Sequence, residues 1–214
     1  MIAIKHICSL GRNCHSATLI KRNGWKTESY IFDWIFTNLN MIKHCMQDDF
    51  KILLDKTYYP DTDPNAWQQT HTYYHPFSDD KTFNHHNPLI EQDYLYFKRC
   101  ASRFRKLLQS NEFYVFLHIV VNSDPMTDRF KDQIKEFNDF LKTKTTNYAL
   151  ICIVQSVGTT REYRFDSIEN IHFINLTTTS YSNGKEFLNN EDNIFLDKLL
   201  NDVYTFNITK LEVD

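Results

Sequence analysis

Apolar positions along this chain fall into two kinds of pattern, short continuous runs and helical-period faces, and the two kinds alternate. Ile2, Ile4 and Ile7 predict an opening strand, and residues 14–23 a short helix stopped by Gly24. Over residues 39–54, Ile42, Cys45, Met46, Phe50 and Leu53 recur at roughly helical spacing. Residues 91–109 put Tyr94, Phe97, Ala101, Phe104, Leu107 and Leu108 on one helical face. Residues 113–121 form a nearly continuous apolar run, as expected of a strand covered on both faces, and residues 148–154 and 171–176 read the same way. Asp124-Pro125 suits an N-cap and first helical position, opening a helix that carries Phe130, Ile134, Phe137 and Leu141 inward. A last helix is predicted over about residues 190–204, with Ile194, Phe195, Leu199, Leu200 and Val203 as its apolar positions.

Strands alternating with helices predict a single α/β domain over residues 1–214, with a largely parallel sheet and helices on both faces. Ligands of such sheets bind outside the carboxyl ends of the strands. Cys14, residues 122–124 and residues 155–160 follow strands at that edge, so three strand ends converge on one crevice. Residues 57–90 interrupt the alternation with Pro60, Pro64, Pro76 and Pro88 among many Asp, Thr, Tyr and His residues. An irregular excursion of that length is a functional loop or a linker. Its aromatic residues (Tyr58, Tyr59, Trp67, Tyr73, Tyr74, Phe77, Phe83) argue that it packs, because disordered linkers are poor in them.

Composition narrows the classes of partner. A net charge of −3 gives no reason to expect nucleic acid or a membrane surface. No apolar run reaches the roughly 20 residues of a membrane span, and the stretch 4–10 is short and lacks the cleavage pattern of a signal peptide. The five cysteines (Cys8, Cys14, Cys45, Cys100, Cys152) are odd in number and without CxxC spacing, which favours a reducing, cytoplasmic setting over a disulfide framework. Only 4 glycines are present, so Gly11 and Gly24 carry weight as turn signals.

Gly11 sits in Ser9-Leu10-Gly11-Arg12-Asn13-Cys14, a polar turn between the first strand and the first helix. A thiol in the first helical turn feels unpaired N–H groups and the positive dipole end, which favour its thiolate. Ser9, Leu10, Gly11, Asn13, Cys14 and Ala17, followed by the triplet Phe32-Asp33-Trp34, resemble a poorly characterised family labelled papain-like cysteine peptidases. A weaker likeness runs through His85 and His86 to the Arg103-Phe104 helix and the strand after it. The family often carries proline before the triplet, where this chain has Ile31. The resemblance implies a thiol nucleophile at Cys14. The order of elements is not that of papain, however, and is closer to esterases and acyltransferases of the Ser-Gly-Asn-His type with cysteine in place of serine.

A catalytic thiol needs a base and a group that orients the base. His85 and His86, on the polar excursion, are the first choices for the base, with a surface-loop role as the bland reading. His15 adjoins Cys14 but points elsewhere on the helix, and His118 in an apolar strand reads as a core histidine. Asp33 would orient the histidine, or else cap residues 35–38 or pair with an arginine. Asn13, with the N–H groups of Asn13 and Cys14, would form an oxyanion hole or cap the helix. His71-x3-His75 offers imidazoles for zinc, but no CxxC or HExxH accompanies it, and no phosphate-binding glycine loop occurs, so no metal or cofactor is expected. The function expected is cysteine-dependent acyl transfer, as a peptidase or hydrolase, on a small-molecule, glycan or peptide substrate. An acyltransferase or esterase acting on a glycan or small molecule is the neighbouring reading, and a non-catalytic glycan- or partner-binding module is the rival from another class.

Overall fold

The structure is a computed structural model that describes residues 3–60, 68–75 and 81–208. Pro64, Trp67, Pro76 and Phe77 lie outside the described residues. The elements are β1 (His6–Ser9), α1 (His15–Arg22), α2 (Leu39–Gln47), a 3-10 turn (Lys56–Tyr58), α3 (Glu91–Gln109), β2 (Tyr114–Val120), α4 (Asp128–Lys142), β3 (Tyr148–Val157), β4 (Glu162–Ile168), β5 (Ile171–Thr178) and α5 (Asn190–Val203). They build a five-stranded sheet in the order β1-β2-β3-β5-β4. β1, β2, β3 and β5 are parallel, and β4 pairs antiparallel to β5 at the outer edge. The fold is therefore α/β with helices on both faces, as the alternating pattern requires.

The period-two alternation of strand side chains decides what each face packs. From β2, Tyr114 and Phe116 join Leu150, Cys152 and Phe173 under α2, α3 and α4, which contribute Ile42, Phe97, Phe104, Ile134 and Phe137. Val115, Leu117 and Ile119 point the other way, to Leu19 and Ile20 of α1 and Leu196, Leu199 and Leu200 of α5. The apolar runs were continuous because both faces of the central strands are buried. His118 falls on the Phe116 side, facing α2 and α4.

Two boundaries and one strand differ from the sequence expectation. α2 stops at Gln47 because Asp49 and Phe50 adopt positive φ (58° and 60°), and Phe50 N–H folds back to Cys45 O at 2.8 Å. α4 opens at Asp128 with Thr127 as its cap, not at Asp124-Pro125, because Asn175 Oδ1 accepts Met126 N–H at 2.8 Å and holds that segment along the sheet edge. β4 was not anticipated. All its residues are exposed, so no apolar run marks it.

The excursion packs where it is described. Tyr59, Tyr74 and Phe83 are buried, and Phe83 bridges Ile35 and Gln69. His71 meets Ile52 O through Nε2 at 2.9 Å, while His44 meets the Tyr74 hydroxyl at 2.8 Å.

Two predictions follow from this packing. A Cβ on Gly11 would lie 2.4 Å from Thr37 Oγ1 and 3.1 Å from Phe32 O, at φ +74°. Gly11→Ala should therefore destabilise by about 2 kcal/mol, seen as a lower urea midpoint at unchanged slope; an unaltered midpoint would refute the clash. His15 is fully buried, hydrogen-bonds with Ser182 Oγ through Nδ1 at 2.8 Å, and is pushed by burial from 6.5 down to about 3. A depressed folded pKa means that the unfolded chain takes up the proton first, so stability is full above 6.5 and is lost as pH falls toward about 3. The decline of melting temperature over that window should be shallower in His15→Gln than in the parent protein.

Candidate active site at the carboxyl edge

The turn that carries Cys14 is built by hydroxyl groups acting on its backbone. Leu10 N–H continues the β1 ladder to Leu117 O at 2.9 Å, and the chain then turns through Gly11 (φ 74°) and Arg12 (φ 76°). A left-handed Arg12 is unusual for a side chain of that size and needs support. Thr37 supplies it: its hydroxyl donates to Leu10 O at 3.0 Å and accepts Arg12 N–H at 2.9 Å. Ser9 Oγ accepts Gly11 N–H at 3.0 Å and is held 2.7 Å from Ser16 Oγ. Asn13 Oδ1 then accepts His15 N–H at 3.1 Å, and Cys14 O takes the first helical bond from Thr18. Asn13 thus braces the residue at which α1 begins, while Cys14 is the N-cap and gives no side-chain cap bond. The N–H groups of Asn13 and Cys14 have no acceptor among the described residues.

Cys14 is 2% exposed, and no hydrogen bond reaches its Sγ among the described residues. Burial pushes the thiol up to about 11, the Lys185 ammonium pulling it down and the Asp33 carboxylate adding to the rise. Desolvation therefore outweighs the helix-terminus field expected to favour the thiolate. The resting Cys14 is a thiol.

The triplet after α1 divides its work. Phe32 is fully buried and meets the edge of Phe104 at 5.3 Å. Asp33 is 2% exposed and pairs with Lys26, while Tyr30 N–H donates to the same oxygen at 3.1 Å. Burial raises its carboxyl, and the Lys26 ion pair opposes the rise. Its partner is a lysine, and it reaches no histidine among the described residues. Trp34 presents its ring to His85, with centroids 6.1 Å apart.

His85 and His86 face different ways. His86 bonds Asp93 Oδ1 through Nδ1 at 3.1 Å and stacks on Tyr96 at 4.7 Å, which turns it toward α3. His85 has a buried, unpartnered Nε2, and its pKa is lowered by burial and by Lys185. The Lys185 ammonium thus acts on both Cys14 and His85. Of the five residues singled out in the sequence, Cys14 and Asn13 share the turn after β1. His85 lies against Trp34 and shares with Cys14 the field of Lys185, Asp33 reaches Cys14 only as a field, and His86 is committed elsewhere.

The edge also holds Asn122 and Gln155, at the strand ends the sequence placed there, and a loop after β5 that sequence reasoning missed. Asn122 (φ 56°) makes a paired bond with Ser182, its Oδ1 accepting Ser182 N–H at 2.7 Å and its Nδ2 donating to Ser182 O at 2.8 Å. Gln155 Oε1 accepts Asn122 N–H at 2.8 Å, and Gln155 Nε2 donates to Thr178 Oγ1 at 2.7 Å. The loop after β5 is therefore stitched to the ends of β2 and β3, and it delivers Lys185. The available signal was the polar run at residues 177–184, ending in Gly184, directly after the last strand. Arg12, Asn13, Asn122, Ser182 and Gly184 line a cavity of about 400 Å³ above the turn.

Among the described residues, no group of three or more His, Cys, Asp or Glu side chains is placed to hold a metal ion. All five cysteines are free and buried, and no described helix is long and apolar enough to cross a membrane.

Comparison with known proteins agrees with the turn and the triplet. Nothing matches the chain among curated proteins or among solved structures. A family model described as Putative papain-like cysteine peptidase (DUF1796) matches residues 5–158, from β1 to the end of β3. With well over half of the chain inside that match, this protein belongs to the putative papain-like cysteine peptidase (DUF1796) family.

Proposed function

We propose that this protein is a cysteine-dependent acyl-transfer enzyme, with Cys14 as nucleophile and His85 as base. What supports the reading is a buried neutral thiol in the turn after β1 and, in the field of the same Lys185, an uncharged histidine whose buried Nε2 has no partner among the described residues. A thiol held near 11 is not attacked into action by losing its proton to water at neutral pH. It needs a neutral base that takes the proton as the carbonyl arrives. Arranged in this way, the Cys14 proton passes to His85 Nε2 while Sγ bonds the carbonyl carbon. The vacant N–H groups of Asn13 and Cys14 take the oxyanion. Collapse of the tetrahedral species expels the leaving group, which carries the His85 proton away. Water, or a hydroxyl or amine acceptor, then attacks the thioester and restores the thiol.

Asp33 acts through the field and through the position of Trp34, which packs on His85. Peptides, glycan esters and small acyl compounds all supply the carbonyl this mechanism requires. The buried free thiols suit a reducing, cytoplasmic setting.

Incubation with p-nitrophenyl acetate, followed by peptide mass spectrometry, should find the acetyl group on Cys14 ahead of the other four cysteines. His85→Ala should slow that acylation by about a hundredfold or more. His86→Ala, which loses the Asp93 contact, should slow it far less. No preferential adduct on Cys14 would leave a buried structural thiol and put a non-catalytic binding module ahead.

The pH dependence is a separate check. Below about 11 the resting thiol is neutral, so iodoacetamide labelling of Cys14 should be slow at pH 7 and climb toward that value. Lys185→Met removes a cation that lowers the thiol's pKa and should move the climb to higher pH. A labelling plateau below pH 9 would contradict the burial account.

A further inference from the structure

Arg12 has an exposed guanidinium with no ion pair or hydrogen bond among the described residues, although its main chain is fixed by Thr37. It stands at the junction of two cavities. One is the space that Asn13 lines beside Cys14. The other, of about 570 Å³, opens on the far side of Arg12, between the end of β2 and helices α2 and α4. A volume of this size takes a small organic molecule.

The charges around the larger cavity do not cancel. Lys43 Nζ lies 3.3 Å from Glu136 Oε1, so those two compensate each other and Arg12 remains unmatched. Asn38, Leu39 and Asn40 bring the first turn of α2 to the same wall, adding the positive end of its dipole. Val120, Phe130 and Phe137 supply an apolar floor.

His118 is the independent observation. It lines this cavity, is 2% exposed, and makes no ring hydrogen bond among the described residues, with Nδ1 sealed from solvent. Buried polar side chains are nearly always partnered, so an unpartnered imidazole in a cavity wall points to a ligand. Burial and the nearby Arg12 keep the ring neutral, with one N–H to donate.

We propose that this cavity is an anion subsite in which Arg12, with His118 beside it, seats a carboxylate or phosphate group of the molecule whose carbonyl reaches Cys14. A planar guanidinium suits either group through paired N–H donors. The site sorts substrates before the thiol acts, favouring acyl compounds that carry an anion on a short apolar arm. That the anion belongs to the substrate rests on the acyl-transfer reading; that an anion binds does not.

Calorimetric titration with inorganic phosphate and with glutarate, at constant ionic strength, separates the two chemistries. The parent protein and Cys14→Ser should both bind at least one probe. Arg12→Gln should weaken that binding about tenfold or more, with Arg12→Lys in between. Shifts of the His118 ring nitrogens in the parent protein, followed by NMR during the titration, report the same site without any substitution. Absence of binding, unmoved His118 signals, or equal binding by Arg12→Gln would each overturn the anion site. For the substrate assignment, the kcat/KM ratio of mono-p-nitrophenyl glutarate to p-nitrophenyl acetate should fall about tenfold in Arg12→Gln. An unchanged ratio overturns that assignment. If neither ester acylates Cys14, the acyl-transfer reading falls and the titration still decides the anion site.

Discussion

Much of the carboxyl edge depends on one hydroxyl. Thr37 Oγ1 bridges Leu10 O and Arg12 N–H, so a residue beyond the α1 helix fixes the turn that precedes it. Two successive left-handed residues would otherwise be a costly way to leave a strand. Held in that form, the turn leaves Arg12 exposed, sets Asn13 Oδ1 on His15 N–H and buries Cys14. The near approach of Thr37 leaves no space for a side chain at position 11. Phe32 O is the other close neighbour of position 11, so the turn and the start of the Phe32-Asp33-Trp34 segment lie against each other.

Around that turn the protein sets opposing electrostatic terms against each other. Burial keeps Cys14 protonated and His85 uncharged, and Lys185 pulls both pKa values down. Asp33 would strengthen the thiol's hold on its proton further, but Lys26 answers the carboxylate at close range. Cys14 and His85 therefore both rest uncharged, and His85 Nε2 has no hydrogen-bond partner among the described residues. On the acyl-transfer reading proposed above, reactivity waits for a carbonyl, since only then does the proton have somewhere useful to go.

The sheet was legible in the sequence because β2, β3 and β5 are buried on both faces, which leaves an apolar run that no surface element imitates. β4 broke that rule. Its Tyr163 and Phe165 alternate with Glu162, Arg164 and Asp166, and full exposure made it read as loop. Cys14 and Asn13 were legible as the strand–helix junction itself. The rest of the site was not, because its contacts join residues far apart in sequence. Lys26 is local to Asp33, but nothing in the sequence ranks that lysine above an arginine or a histidine as its partner, and nothing near 122 announces Ser182. The direction of the Cys14 shift was misjudged for the same reason: a helix N-terminus is a local feature, whereas burial is a property of the whole fold.

The outer strand has a further meaning. A parallel sheet that ended at β5 would offer its neighbours a long apolar ledge of unpaired backbone groups, open to addition of a foreign strand. β4 doubles back over that ledge and replaces it with a rim of Glu162, Arg164 and Asp166, the last tied to Lys131 at 2.5 Å. Any molecule extending the sheet there would have to lay its own chain along alternating charges. The charges standing between the exposed Tyr163 and Phe165 are what opposes such an addition at this edge.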